Sequence, residues 1–219
     1  MPGDTTRRRR TLPFLRLRAL LSGGLVLGLG AVATLASWND SEYTRVSLTS
    51  SVFNTESSVN GLPYADNATS PGPIVTFAGA GFSPGTSVYL PVLIRSKATS
   101  VPGTVVLEAP VVGGADAATL GAAFVYRVVR PTVSGTGTIT CDVSAFAAGS
   151  TYVVGTSATS RAFTAGQEVG LVNTLAAGAP AAAGAVTGFC FQITLPAGAD
   201  NSLQGKAATA TWRFVATSS

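Results

Sequence analysis

The chain has no histidine. That removes the Ser-His-Asp and Cys-His catalytic arrangements and the usual zinc sites, all of which need imidazole. Charge is scarce as well, at 11% of residues. With so many Thr, Ser, Ala, Gly and Val, that scarcity suits a surface able to associate rather than repel. Cysteine occurs only at positions 141 and 190, too little for a metal centre without imidazole. Long helical periods are missing after residue 37, so the crossover helices of a parallel sheet have nowhere to sit. Gly113-Gly114 lacks phosphate-loop spacing. Asp66-Asn67 and Asp200-Asn201 lack the glycine and closing acid of a calcium loop and read as turns. The acids Asp40, Glu42, Glu56, Asp66, Glu108, Asp116, Asp142, Glu168 and Asp200 are scattered near turns. They read as solvated charges rather than a hydrolase pair held across a cleft. No catalytic residue, metal or cofactor is expected.

What is present begins at the N-terminus. Arg7 to Arg10, then Arg16 and Arg18, precede an apolar run from Ala19 to Ala36. The run stops at Ser37-Trp38-Asn39-Asp40-Ser41-Glu42. A basic head, an apolar middle and a small-residue exit form the layout of a secretory signal peptide. At 18 residues the run lies at the lower edge of a membrane span, and Gly23, Gly24, Gly28 and Gly30 weaken it as a helix. A leader over residues 1–37 and one exported domain over 38–219 are therefore expected, with membrane contact only through the uncleaved leader. Ala31-Val32-Ala33 satisfies the small-x-small cleavage rule.

The formal net charge of +4 misleads. Six of the 14 Lys and Arg precede residue 19, whereas from Trp38 onward eight bases face nine acids. The basic character belongs to the leader and does not point to nucleic acid. The 182 residues after it suffice for one domain with its own core.

Alternation of period two dominates the exported part. Val88, Leu90, Val92 and Ile94 share one face of a strand that Pro84-Gly85 introduces. Pro91 lacks an N–H, so that strand is expected at a sheet edge or at a bulge. Further strands are expected over 104–109 and 124–129, with shorter ones over 137–143, 151–154 and 167–173. Phe189, Phe191, Ile193 and Leu195 face away from Cys190, Gln192 and Thr194. Ala210, Trp212, Phe214 and Ala216 form the last apolar face. Asp116 to Gly121 fits a single helical turn, and Ala176 to Ala185 a small-residue loop. At least seven short strands punctuated by turns indicate an all-β sandwich. Tyr43, Phe53, Tyr64 and Trp212 read as core packing rather than a carbohydrate-stacking patch. Cys141 and Cys190 most simply form one disulfide outside the cytoplasm, two free thiols or bridges between chains being the alternatives. Closing that loop would contribute roughly 4 kcal/mol.

Residues 43–52 also alternate, with Thr44, Val46, Leu48, Ser50 and Val52 on one side. Such a segment can form the first strand of its own sandwich or complete the sheet of a neighbour. Head-to-tail donation does not close on itself and builds a fibre.

The stretch Ala33-Thr-Leu-Ala-Ser-Trp-Asn-Asp-Ser-Glu42 resembles the cleavage region of SipW-type signal peptides, which head the TasA/camelysin family of secreted matrix proteins. Phe82-Ser83-Pro84-Gly85-Thr86, the strand Phe189–Pro196 and Ser202–Lys206 are similar to that family's internal segments in its actinobacterial relatives. The resemblance implies a jelly-roll sandwich and cleavage between Ser37 and Trp38 by a signal peptidase of the SipW type. Leu35 departs from the small residue usual three positions before that bond. It also implies residues 38–52 as a donor strand, homopolymerisation as the partnership, and a cell-surface or biofilm-matrix role. Camelysin's grouping with metallopeptidases does not carry over, since no His-Glu-x-x-His exists here. The competing expectation is an extracellular binding module, an adhesin or a carbohydrate-binding sandwich.

Overall fold

The computed structural model describes residues 12–33, 45, 50–70, 72 and 82–219. The chain divides into two units, residues 1–48 and 49–219. In the first, α1 spans Leu12–Ala33. Phe14, Leu15, Leu17, Leu20, Leu21 and Leu25 are all exposed along it. Among the described residues no helix is long and apolar enough to cross a membrane.

The second unit is mostly β. Its strands are β1 (Thr55–Val59), β2 (Ser87–Ser96), β3 (Gly103–Leu107), β4 (Val111–Gly113), β5 (Val125–Val129) and β6 (Tyr152–Val154). They continue with β7 (Arg161–Ala162), β8 (Asn173–Leu175), β9 (Thr187–Thr194), β10 (Thr209–Thr211) and β11 (Phe214–Ser218). A short helix, α2 (Ala117–Ala123), joins β4 to β5. One sheet runs β1-β2-β9-β5-β6, with β7 also on β5. The other runs β11-β3-β8, and β10 pairs with β4. Every strand pair is antiparallel.

The β10–β4 pair continues the β11–β3 pair beyond an irregularity. Glu108, Ala109 and Pro110 there oppose only Trp212 and Arg213, and the Glu108 N–H donates to the Arg213 carbonyl at 3.0 Å. One extra residue on one strand is a bulge, a position that tolerates Pro110.

The two sheets enclose one main core. Leu90, Val92 and Ile94 of β2, Tyr126 and Val128 of β5, and Phe189, Phe191 and Ile193 of β9 supply one side. Val105 and Leu107 of β3 and Leu175 of β8 supply the other. Phe214 lies 4.9 Å from Phe189 between ring centroids, and Trp212 lies 5.2 Å from Phe191. Each fully buried large side chain contributes about 1.5–3 kcal/mol. The apolar faces expected for β2, β9 and the β10–β11 segment are the ones that turn inward, because period two places alternate side chains on one face.

Ser83-Pro84-Gly85-Thr86 is a turn closed by Thr86 N–H to Ser83 carbonyl at 3.0 Å, with Gly85 at φ 86°. Proline second and a positive-φ glycine third fit a type II turn.

Three expectations need correction. The strand holding Pro91 is internal, between β1 and β9. It tolerates proline because the Pro91 carbonyl accepts from Asn60 N–H, so the ring nitrogen faces the side where β1 has already ended at Val59. Residues 137–143 form no strand. They belong to a connection that folds over the outer face of β9, where Ile139, Cys141 and Ala145 pack with Val129, Phe146, Cys190, Tyr89 and Tyr152. Residues 167–172 likewise form no strand, and only Asn173 of that stretch enters β8.

Candidate assembly surface

The Arg95 guanidinium contacts Glu56 at 2.7 Å and lies 3.7 Å over the Tyr64 ring. Asp66 pairs with Lys97, Glu108 with Arg213, and Glu168 with Arg161. Asp142 and Asp200 each accept from the N–H two residues ahead, capping short turns. Asp116 accepts from the Ala207 N–H. Hydrogen bonds from Arg213 and Arg161 hold Glu108 and Glu168 below the usual carboxylate range. Burial pushes the Tyr126 phenol up to about 12, and its hydroxyl donates to the Ala165 carbonyl. These acids therefore sit in ion pairs and turns, and Glu56, expected as a solvated charge near a turn, instead lies in β1 with its side chain 18% exposed. Among the described residues no group of three or more His, Cys, Asp or Glu converges.

Cys141 and Cys190 form a disulfide. Cys190 is wholly buried on the outer face of β9, so the bond ties the connection over 131–150 onto the sheet. Gly188 makes room for it, since a Cβ there would stand 2.5 Å from Ile139. Trp212 packs against Tyr126, Phe163 and Phe191, in line with a core role.

Ser37, Trp38, Thr44, Val46 and Leu48 lie outside the described residues. Ser50 is exposed. Val52 is 44% exposed and forms a parallel bridge to Ser100, its carbonyl accepting from Val101 N–H at 2.9 Å. Phe53 follows it into the main core, over Gly103, where a Cβ would approach the ring to 2.7 Å. The far end of the candidate donor segment is thus anchored beside the start of β3.

Sheet edges decide whether such a segment has anywhere to go. The outer side of β1 is closed by its own hairpin, where Ser57 and Ala65 exchange both backbone hydrogen bonds at 3.0 Å. Asn60 and Gly61, both at positive φ, make that return tight. At β6 the Val153 carbonyl accepts from Glu168 N–H, while the Glu168 carboxylate accepts from Gly155 N–H. At β8 the Thr174 carbonyl accepts from the Thr187 hydroxyl, and Arg130 donates to Val172 and Asn173.

The β11 edge differs. Glu108 N–H donates to Arg213 and Ser219 N–H to Pro102. Alternate residues of an antiparallel strand face the same neighbour, so Arg213, Val215, Thr217 and Ser219 turn their backbone groups toward β3. Phe214, Ala216 and Ser218 turn theirs the other way. Among the described residues no backbone group meets these three. Beneath the same edge the core-facing Ala210, Trp212, Phe214 and Ala216 are only half-buried, whereas Val105 and Leu107 on neighbouring β3 are 1% exposed. The segment from Thr209 to Ser218 carries a single charge, Arg213, and no proline. Those are the features that ordinarily blunt an edge.

No protein-family model matches the chain, and comparison with curated proteins yields no match.

Proposed function

We propose that this chain is an exported structural protein of the cell surface or biofilm matrix. In this reading a SipW-type peptidase cuts between Ser37 and Trp38. The new N-terminal segment, residues 38–52, then pairs with the sheet of another copy, and repetition builds a fibre. The domain is a jelly-roll variant of the sandwich, as in the TasA/camelysin proteins that the exit motif resembles.

The outward backbone groups of β11, which meet no backbone partner among the described residues, carry the reading, since a fibre built by strand donation needs an open edge on every subunit. The Cys141–Cys190 disulfide adds support, because such bonds persist in oxidising compartments. The alternating residues Thr44 to Val52 add the chemistry of a strand with moderate hydrophobicity.

Electron microscopy of the processed chain, incubated for days at neutral and mildly acidic pH, tests the proposal. Fibres are expected from the chain that begins at Trp38, and none from the chain that begins at Phe53. Permanent monomers from both at high concentration would refute it.

A further inference from the structure

We propose that the cleft beside Arg130 binds the carboxylate of an acidic sugar residue, a hexuronate within a polysaccharide. The cleft lies within a single molecule, so the assignment stands apart from strand donation.

The other arginines of the sandwich unit show what is unusual about this one. Arg161 and Arg213 each turn the Nε–Nη2 edge of the guanidinium onto a carboxylate, at 2.6–3.1 Å. Arg127 turns the same edge onto the Gln192 side-chain oxygen, and Arg95 gives its Nε–H to Glu56. Arg130 donates only from Nη1, to the Val172 carbonyl at 3.2 Å and to Asn173 Oδ1 at 3.3 Å. Among the described residues no acceptor meets its Nε and Nη2, and no carboxylate pairs with it. That edge is the planar fork which grips a carboxylate through two parallel hydrogen bonds.

The fold holds the fork in place. Arg130 follows β5 and reaches β8, a strand of the other sheet. Asn173 is wholly buried, and its amide nitrogen donates to the Val105 carbonyl and to Gln167 Oε1. Its oxygen is thereby left for Arg130. Gln167 is fixed in turn by its own bond to the Leu171 carbonyl. A guanidinium steadied at one nitrogen loses less freedom when the other two bind.

The walls select the ligand. Arg130 lines a surface cleft of about 180 Å³ together with Pro131, Val133, Thr174, Val186 and Thr187. The guanidinium is the sole charge there, which suits a monoanion. A phosphate dianion ordinarily draws further cations or a run of backbone N–H groups. Pro131, Val133 and Val186 offer C–H surface. The Thr187 hydroxyl already donates to the Thr174 carbonyl, so it meets a ligand as an acceptor. A uronate ring presents the matching set of one carboxylate, C–H faces and hydroxyl donors. An aspartate or glutamate side chain brings no hydroxyl to meet the threonines.

The test is an NMR titration of the freshly prepared chain that begins at Trp38, with an oligogalacturonate, its methyl ester and an oligoglutamate. The oligogalacturonate is expected to bind and to move the Arg130 Nε–H signal and the amides of Thr174, Thr187 and Gly188. The ester lacks the charge and should bind about tenfold more weakly or worse. Arg130→Gln should abolish these shifts. If that variant fails to fold, Arg130→Lys, which keeps the charge without the fork, should weaken binding by a similar factor. No binding of the oligogalacturonate, equal affinity for acid and ester, shifts that map elsewhere, or undiminished binding by the Arg130 variant would overturn the proposal. Oligoglutamate bound as tightly at the same signals would overturn the sugar assignment in favour of an acidic peptide. The titration reads the same whether or not fibres form afterwards, so its failure leaves strand donation standing.

Discussion

On the outer face of β9 the domain is sealed. A connection of some twenty residues lies across the sheet, pinned by a disulfide, and Val129 and Cys190 beneath it have no exposure at all. At β11 the opposite holds: backbone groups point outward and aromatic side chains are half-covered. Both regions are built from the same kind of alternating, uncharged strand. The difference lies in what each was given to cover it. Among the described residues the outward backbone groups of Phe214, Ala216 and Ser218 meet no backbone partner.

The contrast breaks most visibly on the sealed side. Replacing both cysteines with serine should destabilise the domain by about 3–4 kcal/mol, lowering the melting temperature by roughly 8–15 °C in a calorimetric scan. A shift of only a degree or two would mean that the 131–150 connection is held by its packing alone. Proline substitution on β11 sharpens the comparison within one strand. Val215→Pro deletes an N–H that faces β3 and leaves a ladder carbonyl unmet, at a cost of about 2–3 kcal/mol. Ala216→Pro deletes an outward N–H and should cost less than about 1 kcal/mol by urea melts of the monomer. Equal losses at the two positions would show that β11 is paired on both sides.

The smallest effect concerns the guarded β6 edge. The Arg161 hydrogen bond, then the Gly155 N–H, hold the Glu168 pKa below its ordinary value. A depressed folded-state pKa contributes stability that is present at neutral pH. That stability is lost as pH falls through about 4.3, the unfolded glutamate's value, toward the lower folded value. Glu168→Gln should therefore flatten part of the acid-side decline and leave the slope near neutrality unchanged. An unaltered acid slope would place the pH sensitivity elsewhere.

Much of the sandwich is legible in the chain because one-sided burial imposes period two. The inward sets Leu90-Val92-Ile94, Phe189-Phe191-Ile193 and Trp212-Phe214-Ala216 follow directly. Residues 137–143 show why that signal alone does not specify a strand. Ile139 and Cys141 are one-sidedly buried, as alternation suggests, but they face a disulfide-anchored second core and have no ladder. Residues 167–172 mislead for a related reason. Gln167 and Glu168 donate one N–H each to two different strands, at Leu107 and Val153, and their side chains go to Leu171, Gly155 and Arg161, so no ladder with a single partner forms. Pro91 misleads because only one side of its strand needs a donor there. Asn60-Gly61, a strong hairpin signal that the reading of alternation passes over, turns the chain at the β1 edge. The open edge leaves a fainter trace, a ten-residue stretch without proline and with one charge. Which strand borders it depends on pairing between distant segments, which no local pattern encodes.

Under the proposed assembly the outer side of β11, which meets no backbone partner among the described residues, becomes covered by a second copy. Amide hydrogen exchange of Phe214, Ala216 and Ser218, followed by NMR in the monomer and by quench-and-dissolve from the assembled protein, reads that directly. Fast exchange is expected at these three amides in the monomer, with slow exchange at Val215 and Thr217 in both states and protection of all five after assembly. Strong protection of Phe214, Ala216 and Ser218 already in the monomer, or exchange as fast in the assembly as before it, would contradict it.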